Sequence, residues 1–275
     1  MKDCETIEKT HILGLKQFLN VSARTPNLMV YGDSGRFPLY INARLRSVKY
    51  WLKILRMEEN RLPHRVYKMM MSNIDRSVNW AANMRTFLIE NGFENVWNRQ
   101  QVDNETVFLR QLRERLINIF KVDWWRKMQD SNRYSLYRYI KHSWGTEDYL
   151  YVIDKKVCRD VYIRFRMGIT ELYNHTCRYQ MEPSNALCPL YREKYEDEVH
   201  FLLQCPALCD LREKYLLRYI DSSIDDVLRL FLSCGNANII RSTSLYMYKA
   251  FHRRACAVES VEQDNFFLAF SEHTL

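Results

Sequence analysis

Apolar positions along this chain recur at the three- and four-residue spacing of a helix, not the two-residue spacing of a strand. Leu45, Val48, Leu52 and Leu55 follow a 3-4-3 pattern. At 3.6 residues per turn these positions share one side, which predicts a helix from about Pro38 to Met57. Pro38 suits the first turn, where a missing N–H costs nothing. Offset by one residue, Arg46, Lys49, Lys53 and Arg56 repeat the same spacing. One residue turns the helix by about 100°, so this basic stripe is expected beside the buried one, facing out. Residues 7–19 read as a short amphipathic helix. Further helices are expected over 63–72, 76–91, 104–121, 133–142, 154–168, 195–204, 208–220, 224–233 and 238–256, with Asn91 and Gly92 stopping the second of these. Residues 20–38 read as a loop, because they hold two of the six prolines and two of the seven glycines. The expected fold is mainly α, an irregular multi-helix bundle.

Composition narrows that picture. Apolar residues make up 47% and charged residues 27% of 275 positions, the balance of a folded chain long enough for a sizeable core. Few glycines and prolines favour long helices over many tight turns. Lys plus Arg is 41 against 33 for Asp plus Glu, a net charge of +8. The excess is uneven: residues 1–180 carry 31 basic and 19 acidic side chains, while 181–275 carry 10 and 14. A basic first part is the footprint of a polyanion partner such as RNA or DNA, although a solvated basic surface gives the same count. The polar, proline-containing stretch 180–186 is the best boundary. The expected organisation is a basic helical region 1–180, a second region 181–256 and a loose tail 257–275. The polar start MKDCETIEKT has no apolar run behind it, so the eight cysteines are read as reduced and the compartment as nuclear or cytoplasmic. No run approaches the roughly 18 apolar residues of a membrane span, and no membrane partner is expected.

Aromatic and basic residues cluster in KYWLK (49–53), DWWRK (123–127), NRYSLYRYIKH (132–142), VYIRFR (161–166) and CRYQ (177–180). In the third cluster, Tyr134, Tyr137, Arg138 and Lys141 fall on one helical face. Cations that neutralise phosphates, mixed with rings that stack on bases, suit a single strand of nucleic acid. The competing reading is that Trp and Tyr in helices, Trp124 and Trp125 included, are buried and the cations merely solvated. GDSG (32–35) imitates a serine-nucleophile motif, but nothing places a His and an Asp to form a triad with Ser34. It also fits the GXXG loop of a KH domain, whose sheet is not predicted. A turn using glycines at positive φ is the simpler reading. No phosphate-binding glycine loop, HExxH or Tyr-x-Asp-Asp is present, so no catalysis is expected from this chain alone.

The sharpest site is CPLYREKYEDEVHFLLQCP. Cys188, His200 and Cys205 have the spacing of zinc ligands, but Tyr191 stands where a second cysteine of a Cys-x2-Cys turn belongs. Phenolate is a poor zinc ligand beside thiolate and imidazole. Either Cys209, four residues beyond Cys205, or Cys177, eleven before Cys188, is a possible substitute. A small, degenerate zinc-knuckle-like turn is expected, with zinc as its cofactor only if one of them serves. The alternative is buried cysteine that needs no metal.

These residues carry a resemblance. Thr25-Pro26-Asn27, Val30-Tyr31-Gly32, Gly35-Arg36, Pro38-Leu39 and Tyr50-Trp51-x-Lys53 resemble the segment after the polymerase core of non-LTR (LINE-type) retrotransposon reverse transcriptases. Phe165 to Ile169, His175 to Tyr179, Glu196-Asp197-Glu198, His200-Phe201, Cys205-Pro206 and Leu245 to Phe251 resemble the region around and beyond its closing zinc knuckle. The departures are Asp33-Ser34, where Glu-Leu is usual, and Tyr191. The resemblance covers roughly residues 5–255 and implies a non-catalytic C-terminal portion that handles RNA or DNA, the catalytic aspartates and endonuclease lying outside it. The alternative is a helical protein-interaction module that binds no nucleic acid.

Overall fold

A computed structural model describes residues 2–76, 78–176, 186–220, 226–233 and 235–271, with side chains over 6–175 and 186–259 of these. The helices are α1 (Lys2–Phe18), α2 (Asn27–Ser34), α3 (Leu39–Leu55), α4 (Leu62–Ser72), α5 (Trp80–Glu90), α6 (Glu94–Arg99) and α7 (Glu105–Gln129). There follow α8 (Ser135–Ile140), α9 (Tyr149–Val152), α10 (Lys156–Arg166), α11 (Tyr173–Thr176), α12 (Cys209–Tyr215), α13 (Val227–Ser233) and α14 (Ala237–Ser271). Among the described residues the only strand-like pairings are two isolated bridges, Ser34 with Thr146 and Leu187 with Tyr195. The fold is mainly helical, as the apolar spacing predicts. Among the described residues no helix is long and apolar enough to cross a membrane.

The chain forms two compact units. The first comprises residues 1–11 and 37–127, the second 12–36 and 128–275. The boundary expected at 180–181 falls on residues outside the described set.

The first unit is built on α3. Val48 and Leu52 are buried and Leu45 and Leu55 half-buried against it, and Ile41, Trp51 and Ile54 widen the stripe. Against this face pack Tyr67 of α4, Met84 and Leu88 of α5, Trp97 of α6, and Phe108, Leu112 and Leu116 of α7. Trp51 stacks on Trp97 with centroids 5.7 Å apart. Its indole N–H donates to Tyr67 Oη at 3.0 Å, so the one polar atom of a fully buried ring is satisfied. Asn79 caps α5, its side chain accepting from Ala82 N at 2.9 Å. The helix stops where Asn91 and Gly92 predict, with Gly92 at φ 83°.

In the second unit α14 packs along α9, α10, α12 and α13. Phe165, Phe201 and Phe251 meet at its centre, with Phe201 and Phe251 centroids 4.5 Å apart. Tyr246 Oη donates to Phe201 O at 2.7 Å. Two expectations fail here. Residues 27–34, read as loop, are helix α2, and Met29 through Ser34 are all buried. A helix enclosed on every side has no polar face and therefore no amphipathic period to read. It stops at Gly35, whose φ of 64° and approach to Thr146 exclude a side chain: a Cβ there would lie 2.4 Å from Thr146 N. The tail expected from 257 is helix to Ser271, since 257–271 contain no glycine or proline to break α14.

Candidate functional site

The α3 stripe leaves its basic neighbours outside. Arg46, Lys49, Lys53 and Arg56 are all exposed. Arg56 pairs with Glu105 and donates from Nε to Leu52 O at 3.2 Å. Arg46, Lys49 and Lys53 make no ion pair with any described residue. Tyr50 is 49% exposed and follows Arg46 by four residues and precedes Lys53 by three. It therefore shares their face. KYWLK thus splits cleanly, with Trp51 in the core and Lys49, Tyr50 and Lys53 on the surface. Reading the stripe at 3-4-3 spacing passed over Tyr50, although its offset from Arg46 was there to be seen.

The face expected from 133–142 is not assembled. Residues 132–134 form a 3-10 turn and only 135–140 are α-helical. Tyr134 and Arg138 are half-exposed. Tyr137 and Lys141 are buried, so neither reaches a ligand in this structure. Tyr137 Oη lies 2.7 Å from Asp33 Oδ1 and 3.1 Å from Met29 O, and Tyr149 Oη donates to Asp33 Oδ2 at 2.5 Å. Lys141 pairs with Glu147, and Arg166 reaches Glu147 at 2.6 Å and Asp33 at 3.6 Å. Burial first, then the Asp33 charge, holds both phenols protonated, with pKa values well above the ordinary tyrosine value. Burial opposes the Arg166 charge, but Asp33 and Glu147 outweigh it and raise its pKa. The GDSG motif finds its role here. Asp33 is the acceptor at the centre of a buried network, and Ser34 is a buried hydroxyl 3.4 Å from Tyr31 O. Trp124 is buried, while CRYQ lies outside the described residues.

The cysteine turn is compact. Cys188 N donates to Lys194 O at 2.8 Å, and Glu196 N to Ala186 O at 2.9 Å, on either side of the Leu187–Tyr195 bridge. Arg192 closes the turn in the left-handed region at φ 61°. Downstream, His200–Gln204 is a π-helical turn, with Cys205 N bonded to His200 O at 2.7 Å. These two turns bring Cys188, His200 and Cys205 together, all buried, their ligand atoms within 4.8 Å of one another. The two sulfurs are 3.8 Å apart. Cys205 is drawn down to about 7, first by the Cys188 thiol hydrogen bond and against its burial, with help from the backbone N–H of Ala207. Cys188 is pushed up by the same thiol contact and by burial. Among the described residues neither ring nitrogen of His200 has a hydrogen-bond partner of good geometry, although the ring lies close enough to Cys188 to favour its thiolate slightly. A buried imidazole left so is costly, and a cation that takes nitrogen and sulfur would remove that cost. The cluster could hold a metal ion.

Cys209 does not join the trio. Its thiol is exposed and turned to Glu213 Oε1 at 3.5 Å, apart from the buried trio, because α12 begins at Cys209 and carries it outward. Cys177 lies outside the described residues. The Tyr191 ring stacks on His200 with centroids 6.3 Å apart. Its hydroxyl bonds Glu193, which raises its pKa away from a phenolate ligand.

No protein-family model, curated protein or solved structure matches this chain.

The polar residues around the trio are structural. Glu196 is buried and receives Arg254 through two bonds of 2.7 Å. Asp197 accepts from His200 N at 2.6 Å. Glu198 pairs with His175 Nε2 at 2.9 Å, and Thr170 Oγ1 lies 2.6 Å from the other ring nitrogen. Asp197 therefore holds the start of the turn that presents His200, while Glu196 and Glu198 tie that segment to Arg254 and His175, a supporting role that ligand spacing alone does not reveal.

Proposed function

We propose that this chain binds RNA or DNA without sequence preference, through the α3 face, as a non-catalytic C-terminal part or derivative of a LINE-type retrotransposon reverse transcriptase. The observation that carries the binding is one solvent-facing stripe with three cations that pair with no described carboxylate, Arg46, Lys49 and Lys53, around the half-exposed ring of Tyr50. Cations without carboxylate partners are free to displace the counterions of a phosphate backbone, and a ring beside them offers a stacking platform. The family reading rests on the residue matches in the sequence, among them Phe165, Phe201 and Phe251. In the same reading the buried trio holds zinc, with Cys188, His200 and Cys205 as ligands.

The test is binding of a fluorescent single-stranded oligonucleotide across a salt series. Log affinity falls with log salt, and replacing Arg46, Lys49 and Lys53 together by Gln flattens the slope by about 2, at roughly 0.7 per phosphate contact. A flat plot for the wild-type chain, or an unchanged slope in the triple variant, refutes the α3 face. Salt-insensitive association with a protein and none with nucleic acid favours the interaction-module alternative. For the metal, elemental analysis finds zinc with the purified chain and loses it in Cys205→Ser. Equal zinc in both refutes that assignment.

A further inference from the structure

The second unit holds a cleft that the α3 face does not explain. It is open and about 930 Å³ in volume. One wall is the chain after α1, residues 20–26. The others are Arg133 and the end of α10, continuing through Thr170 to His175. Three arginines reach it from three separate segments: Arg24, Arg133 and Arg164. Among the described residues no Asp or Glu lines the cleft. The guanidinium groups of Arg24 and Arg164 make no ion pair with any described residue. Arg133 Nη2 donates to Arg24 O at 3.2 Å, tying two of the walls together.

Two further observations bear on what the cleft could take. Thr25 lines the same cleft, is 3% exposed, and its hydroxyl has no hydrogen-bond partner among the described residues. A buried hydroxyl without a partner costs free energy that a ligand oxygen would recover. Behind the first wall, Lys16 Nζ donates to Ala23 O at 2.7 Å. Its pKa is lowered, first by burial and then by the positive charge of Arg133. The positive charges of Lys16 and Arg133 are therefore felt together on this side of the cleft, while the nearest carboxylates, Asp160 on Asn20 and Glu198 on His175, bond lining residues from behind. Val21, Pro26, Met167 and Ile169 supply apolar wall between the cations.

We infer that this cleft binds the phosphodiester backbone of a single nucleic-acid strand. Arg24, Arg133 and Arg164 hold phosphate oxygens, Thr25 adds a hydroxyl, and the apolar wall takes sugar or base. Guanidinium forks match phosphate oxygens, and an open trough admits a continuous strand where a closed pocket would not. The inference rests on the nucleic-acid reading for its ligand but uses none of the α3 cations.

The experiment uses the full chain and a fluorescent oligouridylate carrying 4-thiouridine. Arg24→Gln with Arg164→Gln is expected to flatten the salt slope by about 1.4, the value for two phosphate contacts on a single strand. Arg24→Lys with Arg164→Lys keeps the charge and is expected to keep most of the slope. On the wild-type chain, ultraviolet crosslinks are expected in peptides covering 20–26 or 164–170, and they persist in the α3 triple variant. A double Gln variant with wild-type circular dichroism, slope and affinity overturns the cleft and leaves α3 standing. So do wild-type crosslinks confined to α3 peptides, whether or not the variants fold. Loss in the double variant with none in the α3 triple does the reverse.

Discussion

Two stretches of this chain look alike in sequence and come out opposite in space. KYWLK on α3 and YRYIK at 137–141 both interleave cations with aromatic rings. On α3 Lys49 and Lys53 face water with no ion-pair partner among the described residues, and the buried ring is Trp51. On α8 and just beyond it, Tyr137 and Lys141 are themselves inside, spoken for by Asp33 and Glu147. The difference is the availability of buried acceptors. Around α3 the core is apolar and aromatic, so a lysine has nowhere to go but out. Beside α8 the second unit holds a buried Asp33 and a half-buried Glu147, and these claim the donors within reach.

The comparison breaks most visibly at Asp33. Asp33→Ala removes the acceptor of two buried phenols and one of the two carboxylates near Arg166. The expected cost is about 3–5 kcal/mol, as for one partner removed from a buried charge network, read from the midpoint of urea unfolding. A loss under 1 kcal/mol would mean that these groups are already solvated, and the proposed contrast between the two regions would go with it.

The same substitution at two lysines sharpens the contrast. Lys141→Met leaves Glu147 with Arg166 alone and is expected to cost about 1–3 kcal/mol of stability. It should leave oligonucleotide binding unchanged. Lys49→Met is expected to move stability by no more than about 0.5 kcal/mol, yet to lower the salt slope by about 0.7. Finding the two effects exchanged would reverse the assignment of inner and outer lysine.

That pair also marks what local pattern carries and what it does not. The buried stripe of α3 was readable because one helix side is wet and the other dry. For Asn27–Ser34 both sides are dry, and the helix reads as a loop. Tyr137 was placed on a ligand face because its acceptor lies 104 residues earlier in the chain, beyond any helical period. Ligand spacing picked out Cys188, His200 and Cys205 because two short turns suffice to gather them. It misplaced Cys209 because the direction in which α12 leaves Cys205 is set by packing against α14. Local spacing thus foretold contacts made within one or two turns, and long-range burial decided the rest.

The smallest expected effect tests whether the α3 face is limited by its own neighbour. Arg56 belongs to the basic stripe by position but is held by Glu105 at the start of α7. Its side chain is 66% exposed and that of Glu105 24%, so the pair is screened and contributes at most about 1 kcal/mol to stability. Glu105→Gln should therefore change unfolding by less than that while releasing a fourth cation to the face. If the stripe works as one surface, the variant binds the oligonucleotide more tightly at low salt, and its slope steepens by about 0.7, one more phosphate. The gain should vanish in Glu105→Gln combined with Arg56→Gln, since the carboxylate acts only through that guanidinium. A gain that survives the double variant would show that Glu105 repels the strand directly, placing the ligand over the start of α7 as well as along α3.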